Sequence, residues 1–196
     1  MNVTEQFLED GRTYNKVNFS RDPLKKGEYE NCHFINCDFP EGDLSEIRFV
    51  ECQFVGCNLS LANIKQTTFF DVLFKDCKML GLRFDLCREL GLSFRFENCR
   101  LDHSVFFKRK LKKTVFNDSV LTDVDFTDGD LTASVFDKCN LSGAVFENTV
   151  LEKVDFRTSF NYTIDPDLNR VKRAKFALNG IGGLLTKHNI IIDYDL

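Results

Sequence analysis

Residues 111–156 read LKKTVFNDSV LTDVDFTDGD LTASVFDKCN LSGAVFENTV LEKVDF. Every fifth position is Leu or Phe in alternation: Leu111, Phe116, Leu121, Phe126, Leu131, Phe136, Leu141, Phe146, Leu151, Phe156. The residue two before each centre is mostly small, as at Ser119, Gly129, Ser134, Cys139 and Ala144. One large and one small inward residue, two apart, is strand geometry, because successive Cβ atoms alternate sides. Five is odd, so an unbroken strand would send successive centres to opposite faces, and a helix has no period of five. The chain must therefore turn once per repeat. Four turns close a square coil of 20 residues, and coils stack by parallel pairing at about 4.8 Å. No coil buries its own faces, so the coils need one another.

Outward from this stretch the same period runs back to Phe19. It gives 28 centres up to Phe156, all apolar except Glu89, and they absorb 15 of the 21 Phe. All eight cysteines fall in the small slot two before a centre. Cys32 and Cys52 lie 20 apart, as do Cys37, Cys57 and Cys77, so they stack in columns on the inner wall. A column of small hydrophobes filling a narrow slot fits the burial preference of free cysteine. A tetrahedral metal site needs convergent donors, which columns on a flat wall do not provide. Parallel Cβ vectors also suit a disulfide poorly. The thiols are expected to be free, buried and slow to react.

The pattern slips between Phe84 and Leu101. Counting Phe94 as a centre, the step to Leu101 is seven, so the segment near residues 87–98 carries about two extra residues. A bulge that bends the rod is expected there. Glu89 falls at a centre and Arg109 in a small slot, one coil apart. Unpaired buried charge is costly. Either the two form a buried ion pair, or the bulge rolls Glu89 outward and puts Leu90 inside.

The runs Cys99-Arg100-Leu101-Asp102-His103, Cys139-Asn140-Leu141-Ser142-Gly143 and Ala144-Val145-Phe146-Glu147-Asn148 resemble the pentapeptide-repeat family. The resemblance covers about Val17 to Phe156. It implies an all-β fold, a right-handed quadrilateral β-helix of about seven coils. The quinolone-resistance members of that family are dimeric acidic rods that act on DNA gyrase and topoisomerase IV. This sequence has no insertion comparable to the loops that project from the plasmid-borne ones.

The chain has 196 residues, 26 Lys and Arg against 30 Asp and Glu, and a net charge of −4. That balance disfavours phosphate binding over the whole surface. No apolar run is long enough for a transmembrane helix, and no signal peptide is visible at Met1–Asp10, so a cytoplasmic, soluble protein is expected. Charge is uneven along the rod. From Thr114 to Phe156 nine acids face two lysines, a local net of −7. Asp118, Asp123, Asp125, Asp128 and Asp130 all fall in outward slots. Acidic outer positions keep a repeat protein soluble, and Asp suits turns. With the family resemblance, the same surface reads as a mimic of DNA phosphate that docks on a type II topoisomerase. A structural or interaction scaffold with an unknown partner is the competing class. Lys108, Arg109, Lys110, Lys112 and Lys113 form a basic run, read as a solvated face or as a contact to an acidic partner or phosphate.

Residues 1–16 lack the repeat and are expected to cap the rod, with repeats over 17–160. Residues 161–196 are expected to form a helical C-terminal cap, starting near Asp165-Pro166-Asp167, with strand-like Ile190-Ile191-Ile192 after it. The resemblance implies that this segment makes a homodimer. Gly180, Gly182 and Gly183 suit a helix junction better than a phosphate loop. His33, His103 and His188 are scattered, and no nucleophile elbow or metal-spaced cluster occurs. No catalysis, cofactor or metal is expected.

Overall fold

The computed structural model describes residues 7–193. Eleven strands of three or four residues occur along the chain: β1 (Leu8–Asp10), β2 (Thr13–Asn15), β3 (Glu28–Glu30), β4 (His33–Ile35), β5 (Arg48–Val50), β6 (Gln53–Val55), β7 (Thr68–Phe70), β8 (Val72–Lys75), β9 (Phe94–Glu97), β10 (Val115–Asn117) and β11 (Val135–Asp137). All pair in parallel. β1-β3-β5-β7 form one sheet, and β11-β10-β9-β8-β6-β4-β2 form a second. Register is 20 residues per step, as in Phe34 opposite Phe54, except between β8 and β9, where Phe74 meets Phe96. Single parallel bridges such as Asn58 to Lys78 and Asp125 to Val145 join the coils on the other two faces.

Each turn has the same backbone cause. The residue two after a centre adopts the left-handed conformation, as at Asn31, Asn36, Glu41 and Glu46, with φ between 50° and 61°. Four such corners per coil make the cross-section square. Asn, Asp and Gly tolerate this region best and hold many of the corners; Glu, Lys and other polar residues hold most of the rest, and Leu61 and Ala133 are apolar departures.

The centres meet inside the coil. Stacked rings climb one face as Tyr14, Phe34, Phe54, Phe74, Phe96, Phe116, Phe136, Phe156 and Phe176, with centroid spacings of 4.6–5.5 Å. Rings on adjacent faces meet edge-on, as Phe116 does with Phe126 at 6.0 Å and 82°. Both are favoured aromatic geometries, so one side-chain type at every fifth position satisfies contacts along the rod and across it.

The eight cysteines are free and buried, as expected. The slot is more than a space for a small hydrophobe. Its polar atom reaches the carbonyl of a centre one coil below: Cys57 Sγ to Phe34 O, Cys77 Sγ to Phe54 O, Ser134 Oγ to Leu111 O and Thr149 Oγ1 to Phe126 O, at 2.6–3.3 Å. Buried carbonyls need a partner, and Cys, Ser and Thr supply the same donor.

The break differs from expectation. Phe96 occupies the centre and Phe94 the slot, so the two extra residues lie between Phe84 and Phe94. Glu89 is exposed, and its carboxylate pairs with Lys110 at 3.0 Å. The expected buried pair with Arg109 does not form. Leu90 does not turn inward either; it is 92% exposed. The interior is filled from the slot instead, by the Phe94 ring, 5.4 Å from Phe84 and 4.9 Å from Phe96. Arg109 donates to the Cys87 carbonyl at 3.4 Å. The first sheet ends at β7, while the second runs through the break from β8 to β9.

The solenoid also extends further than its clearest repeats. β1 and β2 pair with β3 and β4, so residues 8–15 form part of a coil rather than a separate cap. At the other end, bridges from Val150 to Arg170 and Asp155 to Lys175 carry the coil to Phe176. Pro166–Leu168 form a turn, not a helix start. Two 3₁₀ helices follow, Leu178–Leu184 and Thr186–His188, and Ile190–Ile192 form no strand. Gly180 and Gly183 are required there because a Cβ at either would collide with Tyr162.

Candidate functional site

With its interior filled by Phe and Leu, the rod offers its outer surface. Among the described residues no group of His, Cys, Asp or Glu is placed to hold a metal ion. No helix there is long and apolar enough to cross a membrane. The grooves present are shallow and line outer faces, as between Arg48, Phe70 and Leu90.

Five aspartates of the acidic half, Asp118 to Asp130, lie on one coil and its approach. Asp118, Asp123 and Asp128 are exposed and stand at three successive corners, with φ of 46°, 54° and 58°. Asp125 and Asp130 precede centres. Each accepts the backbone N–H two residues on, from Thr127 at 2.8 Å and from Thr132 at 3.0 Å. Asn58, Asn63 and Asn140 hold turns the same way. The fold therefore accounts for Asp or Asn at these positions, and the choice of Asp adds charge.

Part of that charge is answered from the coil below. Lys108 lies 3.9 Å from Asp128 and Lys112 3.0 Å from Asp130. The basic run and the acidic half are thus neighbours one coil apart. Sequence reasoning treated them separately, although the 20-residue spacing of Lys108 and Asp128 was there to be read. Asp118 and Asp125 take part in no ion pair among the described residues. Exposed pairs contribute little to stability, and they leave a surface of alternating sign below and acid above. For Asp130, burial works to raise the pKa but is outweighed by hydrogen bonds from Thr132 and by Lys112, so the carboxyl stays ionised.

Glu89 and Arg109, expected to share one site, serve different ends. Glu89 ties the exposed break to Lys110, which lowers its pKa. Arg109 is half-buried against main-chain carbonyls of Cys87 and Phe107. Spacing alone did not mark Phe70 and Leu90 as surface residues; they are 46% and 92% exposed beside the break.

Comparison with known proteins agrees with this architecture. A search of the curated proteins returned no match. Two solved structures of trypsin-treated variants of QnrB1, a plasmid-mediated fluoroquinolone resistance protein, are similar to the chain. One has a TM-score of 0.61 at 18% identity, covering 96% of this chain and 98% of that one. The other has a TM-score of 0.60 at 16% identity, covering 96% and 99%. At such identity the likeness is one of fold. Two family models match, a pentapeptide repeat region over residues 28–95 and pentapeptide repeats over residues 130–159, which together span half of the 196 residues. The chain, a right-handed quadrilateral β-helix, belongs to the pentapeptide-repeat family.

Proposed function

We propose that the protein is a non-enzymatic binding protein that works through its outer surface, and that its acidic coil docks on a type II topoisomerase in place of DNA. One observation carries this reading: Asp118, Asp123 and Asp128 stand exposed at three corners of one coil, with Asp125 and Asp130 each just after a corner. Negative groups repeated around and along a rigid rod set up the field that a basic DNA-binding cleft recognises. The fold shared with a fluoroquinolone resistance protein makes gyrase and topoisomerase IV the partners to test first. The protein's own interaction with nucleic acid is disfavoured by the same charge.

A second reading, an interaction scaffold for another partner, is favoured by the lysines that pair with Asp128 and Asp130. Replacing all five aspartates by asparagine separates the two. Asparagine keeps the corner conformation and the turn acceptor but removes the charge. A topoisomerase effect lost in that variant supports mimicry, and partner binding unchanged by it supports the scaffold.

The exposed apolar residues of the tail, Leu178 at 82% and Ile191 at 99%, support a homodimer through the C-terminal segment. A monomeric mass at micromolar concentration argues against that dimer.

A further inference from the structure

One corner of the rod differs from the other three. Its residues are Gly11, Asn31, Glu51, Asp71, Gly91, Lys113, Ala133, Lys153 and Arg173, all with positive φ, with Gly91 standing in the break. Away from the break, backbone bonds place this corner against the outer face of the next coil: Glu51 N–H to Phe70 O at 2.8 Å, and Lys153 N–H to Lys172 O at 3.0 Å; at the break Asp71 N–H donates to Ser93 Oγ at 2.8 Å instead. Below the break the corner carries acid, and above it the corner carries base. The face beside it follows suit, with Glu30 below and Lys172 above.

These charges are unspent. The ion pairs of this face are Arg48–Glu28, Lys110–Glu89, Lys112–Asp130 and Arg170–Glu152. Glu30, Glu51, Asp71, Lys113, Lys153, Lys172 and Arg173 take part in none among the described residues. Lys also holds left-handed corners elsewhere on the rod, as at Lys16, Lys108 and Lys138; what sets this corner apart is the separation of its two signs along the rod. At the boundary between the signs lies a groove of about 330 Å³, lined by Val50, Phe70, Leu90 and Gly91 and flanked by Arg48.

We propose that this ridge is a self-association surface on which a second copy docks antiparallel. The sign change selects the occupant and its direction. A parallel copy would set acid near acid and base near base. An antiparallel copy, related by a two-fold axis half a coil above Gly91, sets Glu51 against Lys153 of the second copy and Glu30 against Lys172. In that register Asp71 faces Ala133 and Lys113 faces Gly91, so no like charges meet. The Phe70–Leu90 groove of each rod then lies opposite Thr132 and Lys112 of the other. This interface is separate from the C-terminal one and does not depend on any topoisomerase partner.

The test is sedimentation equilibrium of the full chain as wild type, E51K, K153E and E51K/K153E, in low and high salt, with circular dichroism to verify folding. The expected result is a mass-doubling step in wild type that weakens at least tenfold in each single variant and in high salt. It returns in the double variant and in an equimolar mixture of the two single variants, because each mixture contact again pairs opposite signs. A C-terminal dimer responds to none of these reversals. The proposal is overturned if wild type shows no such step, if all four proteins distribute alike, or if neither the double variant nor the mixture restores it.

Discussion

The thiol of Cys57 donates to the carbonyl of Phe34 at 3.2 Å, one coil below and deep in the wall of the rod. The same sulfur lies 3.4 Å from the N–H of Cys37 and accepts from it. One slot residue thus satisfies both buried peptide groups of the corner beneath it. That explains why the slot takes Cys, Ser or Thr as readily as Ala. Replacing Cys57 by Ser should be close to neutral, since a hydroxyl makes the same bonds. Cys57→Val should destabilise by roughly 1–3 kcal/mol, the cost of leaving buried polar groups unmet. Thermal and denaturant unfolding of the two variants checks this.

Native thiols should be inert. All eight are buried, and burial pushes the Cys52 and Cys139 thiols up to about 12. The thiolate is the reactive form. An aromatic disulfide reagent at pH 8 should label none of the eight rapidly, and all of them once denaturant is added. Fast labelling of buried positions such as Cys52 or Cys139 in the native protein would contradict the packing described here.

Leu61 sits at a corner with φ of 57° and is 61% exposed. A branched-chain residue in the left-handed region is strained, whereas asparagine occupies it readily. Leu61→Asn should raise stability by about 0.5–1 kcal/mol, measured as a higher unfolding midpoint with an unchanged denaturant slope.

Acid should weaken the fold in a defined window. The hydrogen bond from Lys26 and that from Arg157 hold Asp43 and Asp155 at about 2, below the ordinary carboxylate value. A carboxyl depressed in the folded state stabilises fully above its unfolded pKa near 4 and loses that contribution as pH falls through its folded pKa. The melting temperature should therefore decline between about pH 4 and pH 2. Lys26→Ala together with Arg157→Ala should flatten that decline. The Lys26 and Arg157 side chains that hold them are solvent-exposed, at 47% and 60%, so the effect is modest.

The sequence was most legible where one side chain recurs in one environment. Phe and Leu centres face inward on every coil, so the period alone implies the square solenoid. Tyr14 lies five before Phe19 and stacks on Phe34 at 5.0 Å, a signal that would have extended the coil below Val17. The break was legible in position but not in outcome. Three apolar residues, Leu90, Phe94 and Phe96, compete for the interior there, and spacing cannot tell which are admitted. Phe94 and Phe96 enter by pairing with Val72 and Phe74 on the intact second sheet, and Leu90 is left outside. The tail also misled: its apolar spacing suits an α-helix, but Leu178–Leu184 form a 3₁₀ helix, with Gly180 and Gly183 packed close on Tyr162. The acidic surface was legible as composition, while its lysine partners needed the 20-residue stacking to be seen.

Gyrase supercoiling with the purified protein titrated in, with and without a fluoroquinolone, tests the central claim most directly. The acidic coil should inhibit the enzyme or protect it from the drug at micromolar protein, less so as salt rises. The effect should vanish when Asp118, Asp123, Asp125, Asp128 and Asp130 become asparagine in a protein that still folds. No effect of the wild-type protein on gyrase from its own source, or an effect that the five substitutions leave intact, would contradict it.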